Sequence, residues 1–242
     1  MSPTEAGRLL ASHAARIFSL ADEAEAALDE FSGLLRGHLK LAASRSYLLP
    51  ATLDRFCSLY PGVTLDVAEM NTEQVESTLL TYERQLGFVE GSYDTAAFDS
   101  VVLGQDTLIA VVAPSHPLAR KRKISMRDIA GHDVLSREPG SGTRNVIEAA
   151  FAEHGLDFAP RLSVGSAEAM NRLLSRGNAI AWVSRLTIES ELEAKTLVPL
   201  HVADLTIQRD LTLIWHNGSA LSPSALKFRD LTVEWARTRL AP

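Results

Sequence analysis

The chain of 242 residues has one cysteine, Cys57, so no disulfide can close within it, and such sparse use of thiols fits a reducing compartment. No apolar run approaches the roughly 18 residues that a membrane-spanning helix needs, so no membrane partner is expected. The opening Met1-Ser-Pro-Thr-Glu-Ala-Gly7 lacks a basic segment followed by an apolar core. A secretory signal is therefore not expected, and the cytoplasm is the expected location. An excess of basic charge is also missing. Lys and Arg number 24 against 30 Asp and Glu, a net charge of -6, which argues against a broad basic face for nucleic acid. The basic run at 120–123 stands beside no aromatic residue and reads as a solvated loop. The serines carry no Gly-x-Ser-x-Gly elbow, and the seven histidines show neither His-x-x-x-His nor Cys-paired spacing. Neither a hydrolytic triad nor a metal or other cofactor is expected. There is no repeat of fixed period and no low-complexity tract.

With 46% hydrophobic residues, the chain can bury one large core or two moderate ones. The most informative stretch is Leu135-Ser-Arg-Glu-Pro-Gly-Ser-Gly-Thr-Arg144, which runs into a helical pattern from Asn145 to His154. Val146, Ile147, Ala150 and Phe151 share one face of that helix, and Gly155 is placed to stop it. The glycine-rich segment therefore sits at a helix N-terminus, where free N–H groups and the positive end of the dipole favour an anion. Gly140 and Gly142 allow close backbone approach, and Ser141 and Thr143 add hydroxyl donors. For an isolated Gly-Ser-Gly-Thr, the competing reading is a helix cap and a turn with no guest.

Ser2-Pro3-Thr4-Glu5 reads as a capping box opening a long helix that ends at Gly33. Its apolar positions Leu10, Ala14, Ile17, Ala21, Ala24, Leu28 and Phe31 step by four and three, the spacing of a helix lying along another helix. An arm reaching to a second subunit is expected. A βα rhythm follows. A strand through Leu39, Leu41 and Ala43 leads by the turn Ser44-Arg-Ser46 to a helix with Leu49, Leu53, Phe56 and Leu59, where Cys57 is read as core packing. A strand through Val63, Leu65 and Val67, a helix capped by Asn71-Thr72 and a buried strand from Leu86 to Val89 complete a first block. Two separate strands are expected next, Val101 to Leu103 and Leu108 to Val112. A second βα block has caps at Ser125 and Ser166, a helix end at Gly177 and a buried strand from Ala179 to Val183. A final strand through Leu211, Leu213 and Trp215 precedes a helix that begins at Ser222-Pro223. Two lobes facing a shared cleft are the economical architecture, with ligands at the carboxyl ends of strands.

Taken together, the motifs resemble the C-terminal part of LysR-type transcriptional regulators. Thr4-Glu-Ala-Gly-Arg-Leu-Leu10 resembles the start of that family's linker helix. Leu48-Leu-Pro50, Tyr60-Pro-Gly62, Asn71-Thr72, Gly87-Phe-Val-Glu-Gly91, Ser115-His-Pro-Leu118, Ile129-Ala-Gly131, the Arg137 to Arg144 segment, Val183-Ser-Arg185 and Leu221-Ser-Pro223 follow in family order. The resemblance implies a type 2 periplasmic-binding-protein-like α/β fold: two Rossmann-like lobes joined by crossover strands, behind an N-terminal linker helix. It implies a linker helix at 1–34, a first lobe at 35–113 plus 206–242 and a second at 114–205. A small effector would bind between the lobes, with Ser44, Ser46, Thr72, Ser141, Gly142, Thr143 and Ser166 as pocket residues and Glu138 and Arg144 lining or bracing it. Leu10, Ile17, Ala21, Ala24, Leu28 and Phe31 would form the homodimer face, dimers could pair into tetramers, and the family's winged helix-turn-helix, which does not precede Met1, would hold promoter DNA. The Glu-Pro-Gly-Ser-Gly-Thr form resembles regulators of sulfur and carbon assimilation, which implies a small anion: a sulfur oxyanion, a phosphorylated metabolite or a carboxylate. The turn after Ala43 is shorter than in the family pattern, Gln85 replaces a common aspartate, and Asn178-Ala179 replaces Leu-Gly. The alternatives are an anion-binding transport protein or an enzyme on the same fold; strict monomer behaviour would favour the former and turnover of a metabolite the latter.

Overall fold

The computed structural model describes residues 4, 6–7, 9–11, 13–14, 16–18, 20–21, 24, 36–44, 49–177 and 179–239. In chain order its elements are β1 (Gly37–Ala43), α1 (Leu49–Leu59), β2 (Val63–Glu69), α2 (Thr72–Leu80), β3 (Leu86–Glu90) and β4 (Phe98–Val112). There follow α3 (Met126–Ile129), β5 (Leu135–Ser136), α4 (Gly142–Glu153), β6 (Leu162–Ser163), α5 (Ala167–Arg176) and β7 (Ala181–Ser184). Last come α6 (Glu189–Glu193), β8 (Val198–Pro199), β9 (Ile207–His216) and α7 (Pro223–Arg239). The chain divides into two compact units, Met1–Gly104 with Leu211–Pro242, and Gln105–Asp210. Where the sequence pattern put the divisions after 113 and after 205, they fall inside β4 and β9, because each of these strands starts in one unit and ends in the other.

In the first unit, β1 pairs in parallel with β2 and β3, and β3 pairs antiparallel with β9. The alternation of strand side chains sorts the core onto two faces. Leu39, Leu41, Phe88 and Leu213 pack with Phe56 and Phe228 from α1 and α7. Ala42, Val89 and Ile214 pack under Val75 and Leu79 of α2. All five residues of β3 are buried, and its first four, Leu86 to Val89, read as an unbroken apolar run before the buried Glu90. Gly87 lets α2 approach closely: a Cβ there would stand 2.5 Å from Val75 Cγ1. Cys57 corrects an expectation, since it is exposed. It lies one residue beyond buried Phe56, and one helical step of about 100° turns it off the apolar face.

In the second unit, β7 and β8 pair antiparallel with the 108–112 half of β4. Leu108, Ala110 and Val112 face Ile147 and Phe151 of α4. Val111 and Ala181 face Met170 and Leu174 of α5. The helix after the glycine-rich turn starts at Gly142, three residues earlier than its apolar periodicity shows, and ends where Gly155 takes a φ of +65°. The two strands expected at 101–112 are one continuous strand of 15 residues. The polar interruption Gln105-Asp-Thr107 does not break it, for a reason given below.

The expected linker helix is only partly within the described residues. Those described from 6 to 24 are helical, and Leu10 and Ile17 are 70% and 66% exposed; Ala21 and Ala24 are exposed as well. Leu28 and Phe31 lie outside the described residues, as does Ser46.

Candidate functional site

The glycine-rich part of the expected anion site, with Ser166, falls on the second unit. β5 pairs in parallel with β6 and ends at Ser136. The chain then turns through Gly140, whose φ of +80° suits a residue without a Cβ, and enters α4 at Gly142. Ser141 stands at the N-cap position with an extended backbone, yet its side chain makes no capping bond. It is 3% exposed and Thr143 is 7% exposed. The simple capping role for Ser141 is thus absent, and its hydroxyl lies at the positive end of the helix. Ser136 ends the preceding strand with a buried Oγ that makes no hydrogen bond within the protein.

The two charged candidates brace this turn. Glu138 takes both forks of Arg137, from Nε at 2.8 Å and Nη2 at 2.9 Å. A Cβ on Gly165 would be 3.8 Å from the Glu138 carboxyl, so that carboxylate lies against the approach to α5. Arg144 donates to Glu148 at 2.6 Å and to Ser163 Oγ at 3.2 Å, and lies over the Phe158 ring. Ser166 is the N-cap of α5, its Oγ accepting from the Ala169 N–H at 3.3 Å.

Three further residues stand behind Thr143. Arg209 on β9 donates from Nε and Nη2 to Asp106 Oδ2 on β4, at 2.9 Å and 2.7 Å. Ser184 Oγ donates to the other carboxylate oxygen at 2.9 Å. Arg209 Nη1 donates to Thr143 Oγ1 at 2.5 Å. The Arg209 and Asp106 side chains are 3% and 1% exposed. Here is the reason β4 stays continuous: Asp106 is ion-paired with Arg209, 103 residues away in sequence, through one oxygen and accepts from Ser184 through the other. A signal for the pair did exist. Asp106 is in phase with Leu108 and Ala110 of β4, and Arg209 with Ile207 and Leu211 of β9, so opposite charges occupy the inward positions of two strands.

The first unit carries its own polar candidates. The backbone N–H of Ser44 donates to the Phe88 carbonyl at 2.8 Å. Asn71 caps α2, accepting from the Gln74 N–H at 3.0 Å, and Thr72 beside it is 3% exposed. Ser44 Oγ is buried and unbonded, and so is Thr212 Oγ1, which sits opposite Val89 on β9. Thr212 is a residue the sequence pattern does not single out. Among the described residues no cluster of His, Cys, Asp and Glu could hold a metal ion, and no helix is long and apolar enough to cross a membrane. What the turn and α4 offer is a set of dipoles and hydroxyls suited to holding an anion, with no paired acid and base.

Comparison with known proteins bears on the family and the fold. The LysR substrate binding domain matches residues 32–237. The chain is 31% identical over 224 residues to the HTH-type transcriptional regulator CbbR of Rhodospirillum rubrum, covering 92% of this chain and 74% of that protein. The CcmR regulatory domain of Synechocystis PCC6803, solved in complex with 2-PG, superposes with a TM-score of 0.76 at 26% identity, over 84% of this chain and 98% of that one. The effector binding domain of QuiR, solved with shikimate, shares the fold at a TM-score of 0.75 and 20% identity, over 85% and 99% of the two chains. Relatives of this kind are named as transcriptional regulators and not as enzymes. The chain belongs to the LysR substrate-binding domain family, and its periplasmic-binding-protein-like α/β units are those of an effector-binding domain of a LysR-type regulator.

Proposed function

We propose that this chain is the effector-sensing and oligomerisation part of a cytoplasmic LysR-type regulator, and that its effector is a small anion held at the N-terminal end of α4. One observation carries the reading: the N-cap Ser141 is buried without capping its helix, while Thr143 in the first turn is backed by a guanidinium. A helix N-terminus whose N-cap hydroxyl does not cap it, with a second hydroxyl in its first turn, favours a negatively charged guest. The Synechocystis domain solved with 2-PG makes 2-PG the first compound to test, beside sulfate, thiosulfate and small carboxylates. Glu138 and Arg144 brace the turn in this reading, and Ser166 caps the neighbouring helix.

Calorimetric titration of the chain with these anions tests the proposal. Ser141→Ala should lower affinity about tenfold, the loss of one charge-assisted bond, without changing the melting temperature of the unliganded chain. Thr143→Val should lower it as well, with the chain still folded. Absence of binding by every anion, or wild-type affinity in both variants, would overturn it. The helical segment carrying exposed Leu10 and Ile17 supplies the self-association surface. Leu10→Glu with Ile17→Glu should turn a sedimenting dimer into a monomer, and an unchanged dimer would discard that part. Contact with promoter DNA would come through the family's helix-turn-helix.

A further inference from the structure

We infer that Arg209 sets the hydrogen-bond polarity of the anion site: it fixes Thr143 as a donor and so selects fully ionised guests over guests that carry a proton. The inference rests on the anion site at α4 proposed above. A hydroxyl can face a ligand as donor or as acceptor, and an unconstrained threonine accommodates either. Thr143 is constrained. A guanidinium has only donors, so the 2.5 Å contact from Arg209 Nη1 makes Thr143 Oγ1 the acceptor and turns the threonine's own proton away from the cation.

The direction of that contact is itself locked. Asp106 has only acceptors and engages Arg209 through Nε and Nη2, which fixes the plane of the fork and the aim of Nη1. Ser184 completes the carboxylate by donating to Oδ1, so Asp106 has no reason to rotate. Every bond in the relay from Ser184 to Thr143 therefore has one permitted direction, and it ends in an O–H beside the N–H groups that open α4. Because Asp106 neutralises Arg209, the pair adds no net charge. What it adds is orientation. A guest such as sulfate, with acceptors on every oxygen, meets a donor here. A guest that turns a proton toward Thr143 sets donor against donor in a buried site, which lowers affinity by about tenfold or more.

The probes are sulfate, which carries no proton at neutral pH, and inorganic phosphate, which carries at least one. Calorimetry on the whole chain should give sulfate about tenfold tighter than phosphate. Arg209→Lys keeps a cation on Asp106 but has no fork to reach Thr143. The uncharged pair Asp106→Asn with Arg209→Gln serves as a second variant should the first fail to fold. In either folded variant the sulfate-to-phosphate ratio should shrink to within about threefold, as Thr143 becomes free to accept. A role confined to bracing β4 and β9 would lower both affinities together and leave the ratio intact. An unchanged ratio in the folded variants, or equal binding of the two ions by the wild type, overturns the inference while the anion site stands. Failure of both ions to bind overturns the inference; the anion site itself falls only if 2-PG, thiosulfate and the small carboxylates fail as well.

Discussion

The buried pair Arg209–Asp106 gives the sharpest energetic prediction. Both side chains are almost wholly removed from water, and three charge-assisted bonds, with one more from Ser184, hold them. Replacing one partner leaves the other as an uncompensated charge in the interior, which costs about 3–5 kcal/mol. Replacing both by apolar residues removes the desolvation penalty along with the attraction, and such exchanges are often neutral or better. Arg209→Met and Asp106→Leu should therefore each lose about 3–5 kcal/mol, a large share of the roughly 5–15 kcal/mol that holds a domain folded, while the double variant should lie within about 2 kcal/mol of wild type. Urea unfolding checks this, followed by circular dichroism and by the emission of Trp182, which is 4% exposed in the same unit. Single losses below about 1 kcal/mol would mean that the pair behaves as a surface ion pair. A double loss equal to the sum of the singles would mean that the partners are not coupled.

Gly87→Ala should destabilise the first unit by about 1–3 kcal/mol, since the new Cβ would stand 2.5 Å from Val75 Cγ1 and 3.0 Å from Leu79 Cδ1 in a packed interface; an unchanged urea midpoint would refute it. Thr212→Val keeps the shape of a buried hydroxyl that has no partner, so stability should rise by about 1 kcal/mol, and a fall would show that the hydroxyl is satisfied in solution. His154 is held above the ordinary imidazole value, first by the Ala150 carbonyl and then by that of Asp204, both of which accept from the protonated ring. Its folded pKa is raised, so its contribution is complete below the ordinary value of about 6.5 and is lost as pH climbs through the raised one. His154→Gln should flatten the fall in unfolding midpoint across that window, and an unaltered slope would assign it to another group.

Local signals made the βα skeleton readable. Asn71, Ser125 and Ser166 cap the helices that their spacing announces, Gly155 and Gly177 end theirs, and the apolar set of α4 faces the core as its periodicity requires. Glu138 and Arg144 are marked by the glycine-rich motif, which leaves lining and bracing open; their bonds to Arg137, Glu148 and Ser163 are partners that the motif does not name. Three features escaped. The join at Gln105-Asp-Thr107 looks like a turn because the residue that makes it tolerable, Arg209, is remote in sequence. Cys57 was judged by the character of its helix and not by its angle on it. Thr212 lies in a strand where a lone hydroxyl carries no pattern, and its significance rests on neighbours from β3 that sequence does not bring together.

The passage of β4 and β9 through both units has a practical outcome for dissection. The second unit, Gln105–Asp210, is a single uninterrupted segment, and its two terminal residues touch, Gln105 Nε2 donating to Asp210 Oδ1 at 3.1 Å. A segment whose ends already meet can be excised and expressed alone, or circularly permuted, without stretching its chain. Its relay from Ser184 to Thr143 would travel with it whole, so half of a sensor can be titrated in a tube by itself.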